Sequence, residues 1–516
     1  MRSAALGLLC LAAAAPLAAQ SSEPLFAPFR PNRTPLAATA DVPDGFGLFV
    51  ADPVSQALYN PARLGLRARR GERAGAFLYG TVRPEGSEPC EGASACSPAA
   101  IGRPTFSVAG ATGGRTRLLF LAEHGGVSDE RELTDRRGNQ DLSRDDETLR
   151  TTTSGRLVAV FSGTRTAYSV GVFGGYRRFH DRSERLSAYE YRSFVSPTDP
   201  SYRYDFDRDE NTSAIVDEAY GVGVEFGVAG ARLDLVGSVS YQGRRQEQRS
   251  VVDDREVSER VLPPDSIVLR QEEVDFEEIR FDGDAHAADA RLSAALRFSD
   301  DPDADALIVE AFGTAGGGDA AALNDRLYRL LVSEDGVPIT TEESESLLQD
   351  TDLDLRGYGG GGALGYVHRR RLGRAEAVAG VRAEVLAGHR TGGLPIPSQV
   401  STANTRLQPK LDYWQAALLL PLHVEAPVAR QLRLFGGGVY GVRYASEDLS
   451  YTTQSSSFAN PDGSERLGVE REQLATTGRF YLGARLRSKS GFAAQAAFRG
   501  SLSDLNRWTV SLGYHF

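Results

Sequence analysis

The sequence predicts an all-β chain: a transmembrane antiparallel β-barrel of about 14–16 strands, preceded by an N-terminal hatch or plug segment. Three observations predict it. The chain opens on an export signal, segments of period-two apolar/polar alternation recur along it, and short and long connections alternate between those segments.

The export signal comes first. Arg2 gives a short positive start, Ala4 to Ala15 is a continuous small-apolar run, and small residues at Ala18 and Ala19 precede the polar Ser21-Ser22-Glu23. Such a segment is a secretory signal peptide, too short and wrongly flanked for a membrane helix. Cys10 does not make it a lipoprotein signal, because Leu9 stands where a small residue is needed and the apolar run continues past it. Beyond the signal, no apolar run approaches the ~20 residues of a spanning helix, and mean hydropathy is −0.31. An exported chain of this kind either stays out of the membrane or crosses it as strands. A barrel reads as hydrophilic because only alternate residues face lipid.

The last strand shows the pattern most fully. From Arg507 to Phe516 every even position is apolar, with Trp508, Tyr514 and Phe516 as an aromatic C-terminal signal, and every odd position is polar or glycine. The same alternation recurs around Tyr220–Val228, Leu233–Tyr241, Ala288–Phe298, Phe480–Leu486 and Phe492–Phe498. Charges recur on the polar faces of these segments, which a dry core would penalise and a watered lumen accommodates. Short turns fall near Gly113, Gly163, Gly230, 300–305, Leu372, Pro427 and 488–490. Long polar stretches, expected as surface loops, fall at 125–151, 182–212, 244–285, 315–354, 389–407 and 446–472. Short periplasmic turns against long extracellular loops are the asymmetry of outer-membrane barrels. A soluble propeller also alternates, but no blade-length motif repeats here. The expected division is therefore 1–20 signal peptide, 21–72 periplasmic or hatch segment, and 73–516 barrel. Within the long stretches, 319–333 carries Leu323, Leu327, Leu330 and Leu331 at helical spacing and predicts a short surface helix.

Chemistry-bearing residues are sparse. Cys90 and Cys96, the two left after the signal, lie in a turn-rich stretch and predict a loop-closing disulfide. Asp205 to Asn211 and Asp350, Asp352, Asp354 space carboxylates as a calcium loop does, but Glu210 stands where glycine is required; both read as solvated loop. The glycine runs 359–362 and 436–438 lie inside alternating strands, where glycine allows a bend or close approach rather than cradling phosphate. Ser511 and His515 share a face of the last strand but stand at its periplasmic end, so no enzyme active site, cofactor or metal is expected. A net charge of −11 excludes a general nucleic-acid footprint; 244–285 alone holds 13 acidic and 7 basic residues. By alternation, Glu225, Asp234, Arg382, Glu384, Arg485, Arg487 and Arg499 face the lumen, where they either brace the barrel and pin the hatch or contact solute.

Ahead of the barrel, Gly45-Phe46-Gly47-Leu48-Phe49-Val50 is followed by Tyr59-Asn60-Pro61-Ala62. This motif resembles the N-terminal hatch of the outer-membrane long-chain fatty-acid transporter (FadL-type) family and its wider relatives, in which Asn-Pro-Ala lies shortly before the first strand. The resemblance implies a barrel of about fourteen strands, a hatch in its lumen and transport of a hydrophobic solute. Related barrels with the motif are partners of secretion machinery, so two functions follow: a passive channel for a small solute, or a non-transporting scaffold or surface-interaction barrel. Expected partners are outer-membrane lipid, lipopolysaccharide and the barrel-insertion machinery.

Overall fold

Alternation settles the fold by giving each strand one face for lipid and one for the lumen. In the computed structural model the described residues are 46–49, 53–67, 76–83, 105–112, 116–137, 140–163, 165–196, 199–262, 266–300, 304–334, 337–391, 405–455, 464–501 and 504–516. Sixteen strands form one closed antiparallel barrel, each paired with its neighbours in sequence, and β1 (Phe77–Arg83) closes against β16 (Asp504–His515). The wall runs through β2 (Thr105–Ala111), β3 (Thr116–Arg137), β4 (Gln140–Phe161), β5 (Ala167–Ser196) and β6 (Asp199–Ala229). It continues through β7 (Leu233–Leu262), β8 (Ser266–Arg297), β9 (Ala306–Glu334), β10 (Val337–Leu372) and β11 (Ala375–Thr391). β12 (Thr405–Pro427), β13 (Leu432–Ser455), β14 (Ser464–Arg487) and β15 (Phe492–Ser501) complete it. The count is sixteen, two more than the FadL-type resemblance implies. Among the described residues no helix is long and apolar enough to cross a membrane.

Large apolar side chains cover the outside: Val222, Val224 and Phe226 on β6, Leu418, Leu420 and Leu422 on β12, Trp508, Leu512 and Tyr514 on β16 are all exposed. Glu225, Thr509 and Ser511, which stand between them in sequence, are buried. Phe516 follows β16 and packs edge-on against Tyr514 at 5.0 Å. Both ends of the barrel chain lie at the rim that carries the short turns, where the Phe516 amide donates to the Ala76 carbonyl at 3.0 Å.

The wall is uneven in height. β1 and β2 have 7 residues each, whereas β8 has 32 and β10 has 36; a membrane needs about 9–11. This corrects the reading of the long polar stretches as loops. Residues 125–137, 182–196, 244–262 and 315–334 continue their strands, and each hairpin returns as paired strand. The described residues of 389–407 and 446–472 are likewise strand, while 392–404 and 456–463 fall outside the described residues. Cross-strand charge pairs replace hydrophobic contacts as the ladder leaves the apolar zone. Glu278 accepts from Arg249 of β7 at 2.6 Å and from Arg280 of its own strand at 2.7 Å, and Arg255 bridges to Glu272 at 2.6 Å. The expected helix over 319–333 is likewise strand, paired to β8 on one side and β10 on the other. Two complete ladders outweigh a leucine spacing that only an isolated segment would express as helix. Both carboxylate runs, Asp205 to Asn211 and Asp350 to Asp354, also lie in strands, β6 and β10, rather than loops.

Candidate functional site

Inside the barrel, at the short-turn end, sits the segment before β1. It forms a 3-10 turn (Phe46–Phe49) and two short helices, α1 (Pro53–Tyr59) and α2 (Ala62–Arg67). Helices this short are marginal by themselves, and the barrel holds them. Phe46, Leu48, Phe49 and Tyr59 pack with Ile308, Val367, Val378, Phe435 and Tyr481 of the wall. Val54, Leu58 and Leu64 pack with Phe77, Tyr79, Leu119, Leu121 and Val158.

The Asn-Pro-Ala motif has a physical reading here. The Asn60 side-chain oxygen accepts from the Ala62 amide at 3.2 Å, so Asn60 caps α2, and Pro61 opens its first turn, where a missing N–H costs nothing. The Asn60 amide nitrogen donates outward, to the Val228 carbonyl and to Asp234, both at 3.0 Å. One residue type thus ends one helix turn and fastens it to β6 and β7. The wall leaves room: a Cβ on Gly227 would lie 2.7 Å from the Asn60 side-chain oxygen, and one on Gly65 of α2 would lie 2.7 Å from Ala167.

Arginines complete the attachment. Asp234 accepts from Arg63 of α2 at 2.9 Å and pairs with Arg297 at 2.7 Å, while the Arg297 guanidinium lies 5.5 Å from the Phe49 ring centre. Arg156 donates two hydrogen bonds to Glu225, one at 2.9 Å, and a third at 2.6 Å to the Leu58 carbonyl near the end of α1. Arg117 donates to the Leu64 carbonyl in α2 at 2.9 Å. Both carbonyls lie in the last four positions of their helices, where intrahelical donors run out, and a cation there also suits the helix dipole.

The other residues expected to face the lumen fall into separate groups. Arg382 binds Glu384 and, at 2.8 Å, Glu310, which Arg291 also reaches at 2.9 Å. Arg485 pairs with Glu425 at 3.2 Å beside His423, whose ring bonds the Tyr481 hydroxyl at 2.8 Å. Arg499 donates to Thr509 at 2.9 Å, and Arg487 ends β14 exposed at the short-turn rim. Sequence reading missed Arg63, Arg156, Arg297, Glu310 and Glu425. Alternation gives their faces but not their partners, which come from distant strands. Ser511 accepts from the Thr81 hydroxyl at 2.9 Å and His515 bonds the Tyr79 hydroxyl at 2.8 Å, so the two are engaged with β1 rather than with each other. At Gly437 a Cβ would stand 2.7 Å from the Tyr481 hydroxyl, so that glycine makes room for the ring. Cys90, Cys96 and the signal segment lie outside the described residues.

No protein-family model matches the chain, and no curated protein matches it. Solved structures similar to it include a FadL homologue of Pseudomonas aeruginosa, at 12% identity over 95% of this chain and 99% of that one, with a TM-score of 0.27. The toluene transporter TodX of P. putida is similar at 12% identity over 90% and 94%, with a TM-score of 0.31. The copper transporter OprC is similar at 10% identity over 86% and 80%, with a TM-score of 0.22. These likenesses place the chain in no family.

Proposed function

We propose that the protein is an outer-membrane channel for passive entry of a small solute with an apolar part, and that residues about 40–66 are its hatch. The observation that carries this reading is the seating of α1 and α2 inside the barrel, fastened through Asn60, Arg63 and Asp234. A scaffold has no need to fill its own lumen with a separate, capped and charge-pinned segment. Leu119, Leu121, Val158 and Val160 turn inward an apolar face that the segment covers, and withdrawal of the segment would bare it to a partly apolar solute. The short-turn end is the periplasmic one in this reading, and the lipid-facing band from Trp508 to Phe516 is the surface met by outer-membrane lipid and the insertion machinery. The tall charged wall of β5 to β10 favours the second reading, a surface-interaction barrel.

Osmotic swelling of proteoliposomes distinguishes the two. Phenyl glucoside is expected to enter faster than glucose, and both faster than in protein-free liposomes. Entry of neither, with the barrel correctly inserted, leaves the scaffold reading.

A further inference from the structure

Four lumen arginines are answered by carboxylates: Arg156 by Glu225, Arg244 by Asp217, Arg382 by Glu310, Arg485 by Glu425. Arg390 is not. It lies on β11 between Gly357 of β10 and Leu411 of β12, on the same inward face as Arg382, and is only 8% exposed. No carboxylate among the described residues pairs with it, and its Nε has no hydrogen-bond partner. The stretch that follows, 392–404, contains no Asp or Glu, and the next charges are Arg406 and Lys410.

Its surroundings are those of a site. Tyr413 lies beside it, the ring lying over Gly388 so closely that a Cβ there would be 2.5 Å from the phenol carbon. Arg244, reaching in from β7, is near enough to repel it, while exposed Glu447 attracts it without pairing. Between β7 and β11 the inward face is a floor of Ala285, Ala287, Ala320 and Leu355, all buried. The three alanines add little bulk to that face. A guanidinium cannot shed its proton to escape burial, and an uncompensated buried charge is strongly unfavourable.

We infer that Arg390, with Tyr413 beside it, is an oxyanion subsite in the lumen, taking the carboxylate or phosphate of a solute whose apolar part lies on the alanine floor. The guanidinium fork matches both groups bidentately. The inference rests on the lumen being a solute path, but binding is measured separately from passage.

Fluorine NMR titration of the full-length protein in detergent compares para-fluorobenzoate, para-fluorobenzyl alcohol and para-fluorobenzylammonium, with inorganic phosphate as competitor. The benzoate is expected to bind about ten-fold more tightly than the alcohol, the ammonium least, and phosphate to displace the benzoate weakly. Arg390→Met should abolish the preference for benzoate while leaving the alcohol unchanged, and Arg390→Lys should keep part of it. Unheated gel mobility reports whether each variant retains its barrel. Equal binding of benzoate and alcohol, or a preference that survives Arg390→Met in an intact barrel, overturns the inference. Phosphate binding as tightly as benzoate overturns the role of the apolar floor. Oxyanion binding without any proteoliposome uptake would overturn the channel instead and leave the subsite standing.

Discussion

Asn60 and Asp234, 174 positions apart, are joined by a hydrogen bond of 3.0 Å in the buried short-turn end of the barrel. The same carboxylate holds Arg63 of α2 and Arg297 of β8, so one side chain ties helix α2 to two strands. Asp234→Asn preserves the shape but leaves two guanidinium groups without a counter-charge, a loss of about 3–5 kcal/mol for a buried pair. Asn60→Ala removes the cap and the outward bonds, costing about 1–2 kcal/mol. Hydrogen exchange over residues 53–67 is expected to rise steeply in the first variant and modestly in the second, with the strands unchanged. Equal protection in all three proteins would separate Asp234 from the hatch.

Gly227 offers a test by space rather than charge. A side chain there would run into Ser169 and into the Asn60 oxygen. Gly227→Val should therefore expel α2 from its seat and expose Arg63 and Arg67 to trypsin, while the variant still inserts and runs as a folded barrel. Resistance to trypsin equal to that of the unaltered protein would contradict the packing described.

The strands and their faces were legible because a wall between lipid and water imposes period two. The run from Trp508 to Phe516 needs no partner to declare itself. The turn at Asn60-Pro61 was legible for a local reason, since asparagine before proline favours a fixed turn, but that the turn opens a helix and bonds to β6 and β7 was not. What distant residues decide was not legible. Leu323, Leu327, Leu330 and Leu331 have helical spacing, and only the ladders from β8 and β10 make them strand. Residues 244–262 and 266–285 look like a solvated acidic loop until Arg249, Arg255 and Arg280 are set beside Glu278 and Glu272. The alternation marked Glu225 as inward, yet nothing near it in sequence points to Arg156, 69 positions away.

The β8–β9 turn carries a pH-dependent clasp. Burial alone would raise the Asp305 carboxyl, but bonds from the Tyr366 hydroxyl at 2.6 Å, the His368 ring at 3.0 Å and the Arg369 amide at 3.2 Å outweigh it and hold it below its ordinary 3.8. Because the folded value is depressed, this stabilisation is complete above 3.8 and is lost as pH falls through the lower, folded value. At so exposed a turn it is worth under about 1 kcal/mol. Asp305→Asn should lower the melting temperature slightly at neutral pH, and the gap from the unaltered protein should close in strong acid. A gap independent of pH would show that the clasp is not electrostatic.

Planar-bilayer conductance of the protein lacking residues 40–66 tests the hatch-gated channel most directly. Barrel closure runs from β1 to β16 without that segment, so the deletion should insert and keep its anomalous gel mobility. The account predicts larger and more frequent openings than in the full-length protein. Conductance unchanged by the deletion, in a barrel shown to be intact, would contradict it.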